Sequence, residues 1–192
     1  MTSPSLVRSK PVYLPLSIAP QARVTIFVTD MAEPTPSCFA HGTSVESFSE
    51  CWVVTGGSTT LPQPKGRTTL FRSASQMLET LSGRLRHEYM GLRLYAAGHE
   101  DFIWQVARIA EQAGLSRQEY SVFRVGPSSR TVMCAHCHTL THDVTHSPAV
   151  CSGCGAALEI RDHFSRLHGA YLGVQADAET PNILPATEEL RA

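Results

Sequence analysis

The 192-residue chain is long enough for one ordinary domain with a small appendage, and too short for two full-sized cores. It is 42% hydrophobic and 17% charged, with a formal net charge of −1 and a pI of about 6.7, a globular composition light on charge. Its lysines are Lys10 and Lys65 alone, and its arginines are scattered from Arg8 to Arg191, so it lacks the basic stripe of a nucleic-acid binder; the arginine excess leans toward protein contacts.

Residues 1–22 carry Pro4, Pro11, Pro15 and Pro20 and read as an extended arm. The run from Met1 to Lys10 lacks the apolar core of a secretory signal, and no apolar stretch reaches the ~18 residues of a membrane helix. The expectation is a soluble, cytoplasmic chain that contacts neither membrane nor nucleic acid. Arg23–Asp30, rich in β-branched residues, predicts a strand, and Cys51–Thr55 a second one stopped by Gly56-Gly57. Thr68–Phe71 is a short third strand. Ser73 then caps a helix reaching about Met90, with Ala74, Met77, Leu78, Leu81 and Leu85 at helical spacing and Gly91 as its stop.

Leu92–Ala97 is the next strand, ending at Gly98. Glu100 and Asp101 favour the positive end of a second helix, whose Phe102, Ile103, Val106, Ala110 and Ala113 share one face before Gly114. Tyr120–Val125 is the last strand of the series, closed by Gly126-Pro127. Strands alternating with helices over short turns imply a parallel sheet with helices on its faces. The fold class is therefore α/β, with residues 23–127 as a small lobe. A cysteine module with a docking segment follows over 130–174, in which Asp162–Val174 reads as helical. The acidic, proline-bearing tail, 175–192, is expected to be mobile unless a partner orders it.

Cys134-x2-Cys137, thirteen residues, and Cys151-x2-Cys154-Gly155 form the double knuckle of a zinc ribbon. Each CxxC turn aims two sulfurs at one point, and two such turns complete a tetrahedral thiolate shell. Zinc is the expected metal, held structurally. A single iron suits the same geometry, and four cysteines also hold two-iron clusters. Four sulfurs close a zinc shell and leave no position for water, so the module folds around the metal and does not catalyse. His136, His138, His142, His146, His163 and His168 are read as exposed or supporting residues, because the cysteines already fill the shell. Cys38 and Cys51 lack CxxC partners and read as core thiols.

Two glycine turns end strands of the lobe: Gly56-Gly57-Ser58-Thr59 and Ala97-Gly98-His99. Strand, glycine, helix is how a nucleotide phosphate reaches a helix N-terminus. The run from Leu94 to Val125, with Phe102, Val106, Gly114 and Leu115, resembles the end of the nicotinamide-binding domain of ferredoxin–NADP reductases. That resemblance implies NADPH contact at Gly56, Gly57, Ser58, Thr59, Ala97, Gly98 and His99. The chain departs from the pattern in having His99 for the usual proline, Ala97 for the usual cysteine, and no flavin motif.

A wider resemblance covers the whole chain. Ser9–Leu16, the reductase-like middle, the ribbon, Asp162-His163-Phe164-Ser165-Arg166 and Tyr171-Leu172-Gly173-Val174 together resemble the DmmA-like small subunits of dimethylamine monooxygenase. The resemblance implies an accessory subunit of a hetero-oligomer that uses NADPH and oxygen to demethylate dimethylamine to methylamine and formaldehyde. Haem is expected on one partner subunit, and FMN with an iron–sulfur cluster on a reductase partner. It assigns no catalytic residue to this chain. An electron relay with iron in the four-cysteine site, and a stand-alone zinc-ribbon adaptor or nucleic-acid-binding regulator, are the alternatives.

Overall fold

The structure, a computed structural model, describes residues 10–56 and 67–190. These form two compact units, Tyr13–Gly126 and, separately, 127–190 with 10–12.

The first unit is built on five strands: β1 (Val24–Thr29), β2 (Glu50–Val54), β3 (Arg67–Phe71), β4 (Leu92–Gly98) and β5 (Tyr120–Arg124). All neighbours pair in parallel, in the order β3-β2-β1-β4-β5. Chain direction across the sheet reverses between β1 and β4, which puts a topological switch point at their carboxyl ends. Two helices, α1 (Ala74–Leu85) and α2 (Glu100–Gln112), make the crossovers into β4 and β5.

Period-two alternation divides the strand residues between two faces. Ile26, Val28, Trp52, Val54, Leu94 and Ala96 share one face and are buried. The helices supply the apolar stripe for it, with Met77, Leu78, Leu81 and Leu85 from α1 and Phe102, Ile103, Val106 and Ala110 from α2. The Ser73 hydroxyl caps α1 by accepting the Gln76 amide at 3.2 Å. α1 stops at Leu85, five residues before the predicted end. Its apolar stripe ends there, and Tyr89 and Met90 are exposed with nothing to bury them. Glu88, just beyond, is tied to both Arg84 and Arg23.

The opposite face departs from the expectation of helices on both sides. Phe27, Cys51, Val53, Tyr95 and Ala97 are covered by Leu16, Cys38 and Phe48, with Phe39 and Val45 packed alongside. Between β1 and β2 the chain makes only two short 3-10 turns, Pro36–Cys38 and Val45–Ser47, because Pro34 and Pro36 interrupt any longer helix. An aromatic layer replaces the missing helix: Phe27 stacks on Phe48 at 5.1 Å, and Phe48 meets Tyr95 at 5.1 Å. Leu16 bridges to Phe39 and is held by Leu16 N–H to Cys38 O (2.7 Å) and Ala40 N–H to Leu16 O (2.8 Å), so part of the proline-dotted arm belongs to this core.

The second unit is β-rich. Its strands are β6 (Arg130–Cys134), β7 (Leu140–Val144), β8 (His146–Ser147), β9 (Ala149–Val150), β10 (Ala157–Ser165), β11 (Ala170–Gln175) and β12 (Glu188–Glu189). Five of them form a sheet in the order β7-β6-β11-β10-β9. The segment Asp162–Val174, expected to be helical, is instead the end of β10, a turn, and most of β11. Gly169 takes φ 62° in that turn, and Leu167 at its tip is exposed. Gly173 sits where a Cβ would lie 2.6 Å from the Val132 side chain and 2.9 Å from that of Leu158, so only glycine lets β11 pack there. In the tail, Glu188–Glu189 pairs antiparallel with His146–Ser147.

Candidate metal centre

Each pair of cysteines sits at the tip of a hairpin. The first knuckle links β6 to β7, and the second links β9 to β10. The two are built alike. Cys134 N–H donates to Thr139 O (3.0 Å) and Cys151 N–H to Ala156 O (2.9 Å). His138 N–H returns to Cys134 O (2.9 Å), as Gly155 N–H does to Cys151 O (3.1 Å). Both turns then require a left-handed residue, His138 at φ 59° and Gly155 at φ 75°. β11 holds the first knuckle from the side, through Ala135 N–H to Gly173 O at 2.8 Å.

The four sulfurs of Cys134, Cys137, Cys151 and Cys154 all lie within 4.8 Å of one another. Across the two knuckles, Cys134 and Cys154 are 3.8 Å apart, and Cys137 and Cys151 3.6 Å. Sulfurs about 2.3 Å from one ion at tetrahedral corners have edges of about 3.8 Å. The donor set thus fits a single four-coordinate ion, whereas a two-iron cluster spreads its thiolates over two metals. Among the described residues no histidine joins this group.

The knuckles also prepare the thiolates. The Thr139 hydroxyl, 3.3 Å from Cys137 Sγ, and then the Thr139 amide hold Cys137 down at about 6. The amides of Cys154 and Gly153 lower Cys151 in the same way, the Gly153 nitrogen lying 3.4 Å from its sulfur. The Ala156 amide is the strongest single influence on Cys154 and pulls it down. Desolvation and the facing sulfurs of Cys137, Cys151 and Cys134 outweigh it and push that thiol up to about 11. Cys137, Cys151 and Cys154 thus titrate as neighbours, and the proton held by Cys154 is one that a cation would displace.

Cys134 and Cys151 are buried, Cys137 is half-buried and Cys154 is exposed, so one corner of the site faces solvent. Cys38 and Cys51 lie apart from it in the first unit's core, where burial pushes Cys51 up to about 11.

Of the nucleotide-turn residues, Gly56 (φ 58°) follows β2, and Ala97 and Gly98 end β4 with His99 as the N-cap of α2. β2 and β4 flank β1, so both turns lie at the carboxyl edge of the sheet. Gly57, Ser58 and Thr59 lie outside the described residues.

Sequence reasoning missed three groups. Thr139 supports Cys137, and its place two residues after a cysteine was the available signal. Arg130 is 4% exposed, lies 4.3 Å over the Tyr171 ring and pairs with Asp162 at 3.2 Å. A register shift in β10 between Ile160 and Phe164 surrounds Asp162, which also takes Lys10 at 3.4 Å beside a groove of about 1110 Å³. The third group is the Asp30–His99 pair, with Nδ1 2.8 Å from Oδ2.

The fold and site define a parallel α/β lobe followed by a four-cysteine β-module able to bind one metal ion. The comparisons with known proteins agree with that order. Residues 58–120 match the family model of the N-terminal domain, and 131–174 that of the C-terminal domain, of "Dimethylamine monooxygenase subunit DmmA-like" proteins. The chain belongs to this DmmA-like family. It is 39% identical over 111 residues to the heme-dependent oxidative N-demethylase delta subunit of Ectopseudomonas mendocina (strain ymp). The match takes in 58% of this chain and spans 63% of that relative's length. No solved structure matches. Among the described residues, no helix is long and apolar enough to cross a membrane.

Proposed function

We propose that the chain is an accessory subunit of a multi-subunit, haem- and flavin-dependent dimethylamine monooxygenase. The complex carries out NADPH- and oxygen-dependent N-demethylation to methylamine and formaldehyde, with haem, FMN and an iron–sulfur cluster on partner subunits. The observation that carries the reading is the closed four-sulfur shell in a chain whose two halves both match DmmA-like domains. A metal bound by four thiolates has no open position for oxygen or amine, so the role it supports is folding and assembly.

In this reading Cys134, Cys137, Cys151 and Cys154 hold one structural zinc. The module docks on the haem subunit, and the exposed hairpin tip at Leu167, flanked by Arg166 and His168, supports that role. The first unit is a reductase-like lobe that stands beside the flavoprotein partner as a scaffold.

One observation favours a second reading. The exposed corner at Cys154 is where a single iron would hand electrons to a partner, which would make the module a relay between flavin and haem.

The test is to purify the chain alone and together with its genomic neighbours, then measure metal content and visible spectrum. Colourless protein with one zinc per chain, co-purifying with haem and flavin subunits, is the expected result. A red or brown isolated chain selects the relay. A chain that never co-purifies with those subunits overturns the assignment to the complex.

A further inference from the structure

The carboxyl edge of a doubly wound sheet is where a dinucleotide binds, its pyrophosphate over the helix that follows β1 and its length crossing the switch point. In this lobe the described part of that edge, beyond β1 and β4, is occupied by the chain's own side chains. The chain leaves β1 through Asp30-Met31-Ala32-Glu33-Pro34, which has no glycine and leads to two short 3-10 turns instead of a helix. No helix N-terminus therefore stands where a pyrophosphate would be received.

The neighbouring helix is no substitute. At the start of α2 the His99 amide donates to Asp30 Oδ1 at 3.2 Å, and the His99 ring nitrogen Nδ1 lies 2.8 Å from Oδ2. A backbone N–H at the N-cap and a cationic or donor side chain are the groups that would hold a phosphate. Here both hold the Asp30 carboxylate. Glu100 and Asp101 occupy the first turn of the same helix and add negative charge to it.

The seal is built into the backbone on both sides. A Cβ at Gly98 would lie 1.9 Å from Asp30 Oδ1, and a Cβ at Gly126 would lie 3.0 Å from His99 Cδ2. Two glycines thus leave room for the pair and for little else. Asp30 is 12% exposed on its side chain and His99 51%, so the carboxylate is the inner member and the imidazole covers it.

We infer that Asp30 acts as the lobe's own anion at the switch point, closing the crevice to nicotinamide dinucleotides. The residues present do not fit NADPH at Ala97, Gly98 and His99. A second anion there would meet the Asp30 carboxylate and would find the His99 amide and ring nitrogen already engaged by it. The inference deepens the scaffold reading of the lobe given above and rests on it, but not on the identity of the complex.

The experiment uses the isolated full chain. NADPH, NADP⁺ and NADH are titrated by calorimetry and by quenching of tryptophan fluorescence, into wild type and into Asp30→Asn. Asparagine keeps the shape of the side chain and removes its charge. The wild type is expected to show no saturation up to about 1 mM, and Asp30→Asn to gain weak binding, with a Kd falling at least tenfold below that limit. Saturable binding to the wild type, with a Kd below about 1 mM, would overturn the inference. So would a folded Asp30→Asn variant, its melting curve still cooperative, that remains unable to bind, because exclusion would then lie elsewhere. Neither failure touches the complex, which is tested by co-purification.

Discussion

His138 and Gly155 occupy the same left-handed backbone position, each four residues after the first cysteine of its knuckle. One knuckle meets this demand with glycine, the other with a side chain that rarely adopts it. A non-glycine residue in this region costs roughly 1–2 kcal/mol, and glycine returns part of that by loosening the unfolded chain. His138→Gly should therefore raise the stability of the metal-loaded module by up to ~1 kcal/mol. Gly155→Ala should lower it by about 1 kcal/mol through backbone strain alone, since a Cβ there meets nothing within 4 Å. Denaturant titration of both variants checks the pair. A destabilised His138→Gly would show that the imidazole makes a contact worth more than the strain.

Cys137→Ser should abolish stoichiometric metal binding and unfold the second unit, because the free energy of a closed metal site is folding free energy. Hydrogen exchange should show protection lost across β6, β7, β10 and β11. The same change should reduce assembly with partner subunits. Assembly and activity that survive would show the module to be dispensable.

Proton bookkeeping gives a separate check on the site. In the metal-free protein Cys137, at about 6, is already largely thiolate at neutral pH, while Cys154, at about 11, still carries its proton. Zinc added at pH 7 should therefore release protons into a weakly buffered solution. Metal retention should fall as the pH drops through 6, where Cys137 takes up a proton and protons compete with the metal for its sulfur. Limiting iodoacetamide should label Cys137 first in the reduced, metal-free chain, and leave Cys51, buried at about 11, unlabelled until unfolding. Metal uptake without proton release would contradict this picture of the shell.

The clustering of the four cysteines was legible because a CxxC turn is local: its spacing alone aims two sulfurs, and Gly155 marks the turn. The strands and helices of the lobe were legible from their periodicity. Asp162–Val174 was not, for a physical reason. Phe164, Leu167, Tyr171 and Val174 fall at helical spacing by coincidence, yet Leu167 is exposed and Gly169 turns the chain back between strands. The pairing of Asp30 with His99 joins residues 69 apart in sequence, and nothing local announces it. Likewise, the aromatic layer over the sheet depends on Leu16, Phe39 and Phe48 arriving from separate segments.

That long-range pair yields the sharpest stability prediction. Gly98→Ala drives a methyl group to 1.9 Å from Asp30 Oδ1, with the Phe102 ring also 3.1 Å away. Neither neighbour can retreat without breaking the His99 contacts or disturbing the start of α2, where Phe102 is buried in the core. The expected cost is about 1–3 kcal/mol, as for an overpacked core site. Asp30→Ala alone removes two hydrogen bonds to His99, of which the ring contact is charge-assisted, and should cost about 1–3 kcal/mol as well. In the double variant the methyl group enters the space the carboxylate vacates, so the two losses should add to less than their sum, by at least ~1 kcal/mol. Denaturant unfolding of the four proteins in the cycle measures the coupling. Strict additivity would mean that Gly98 and Asp30 do not share the space assigned to them.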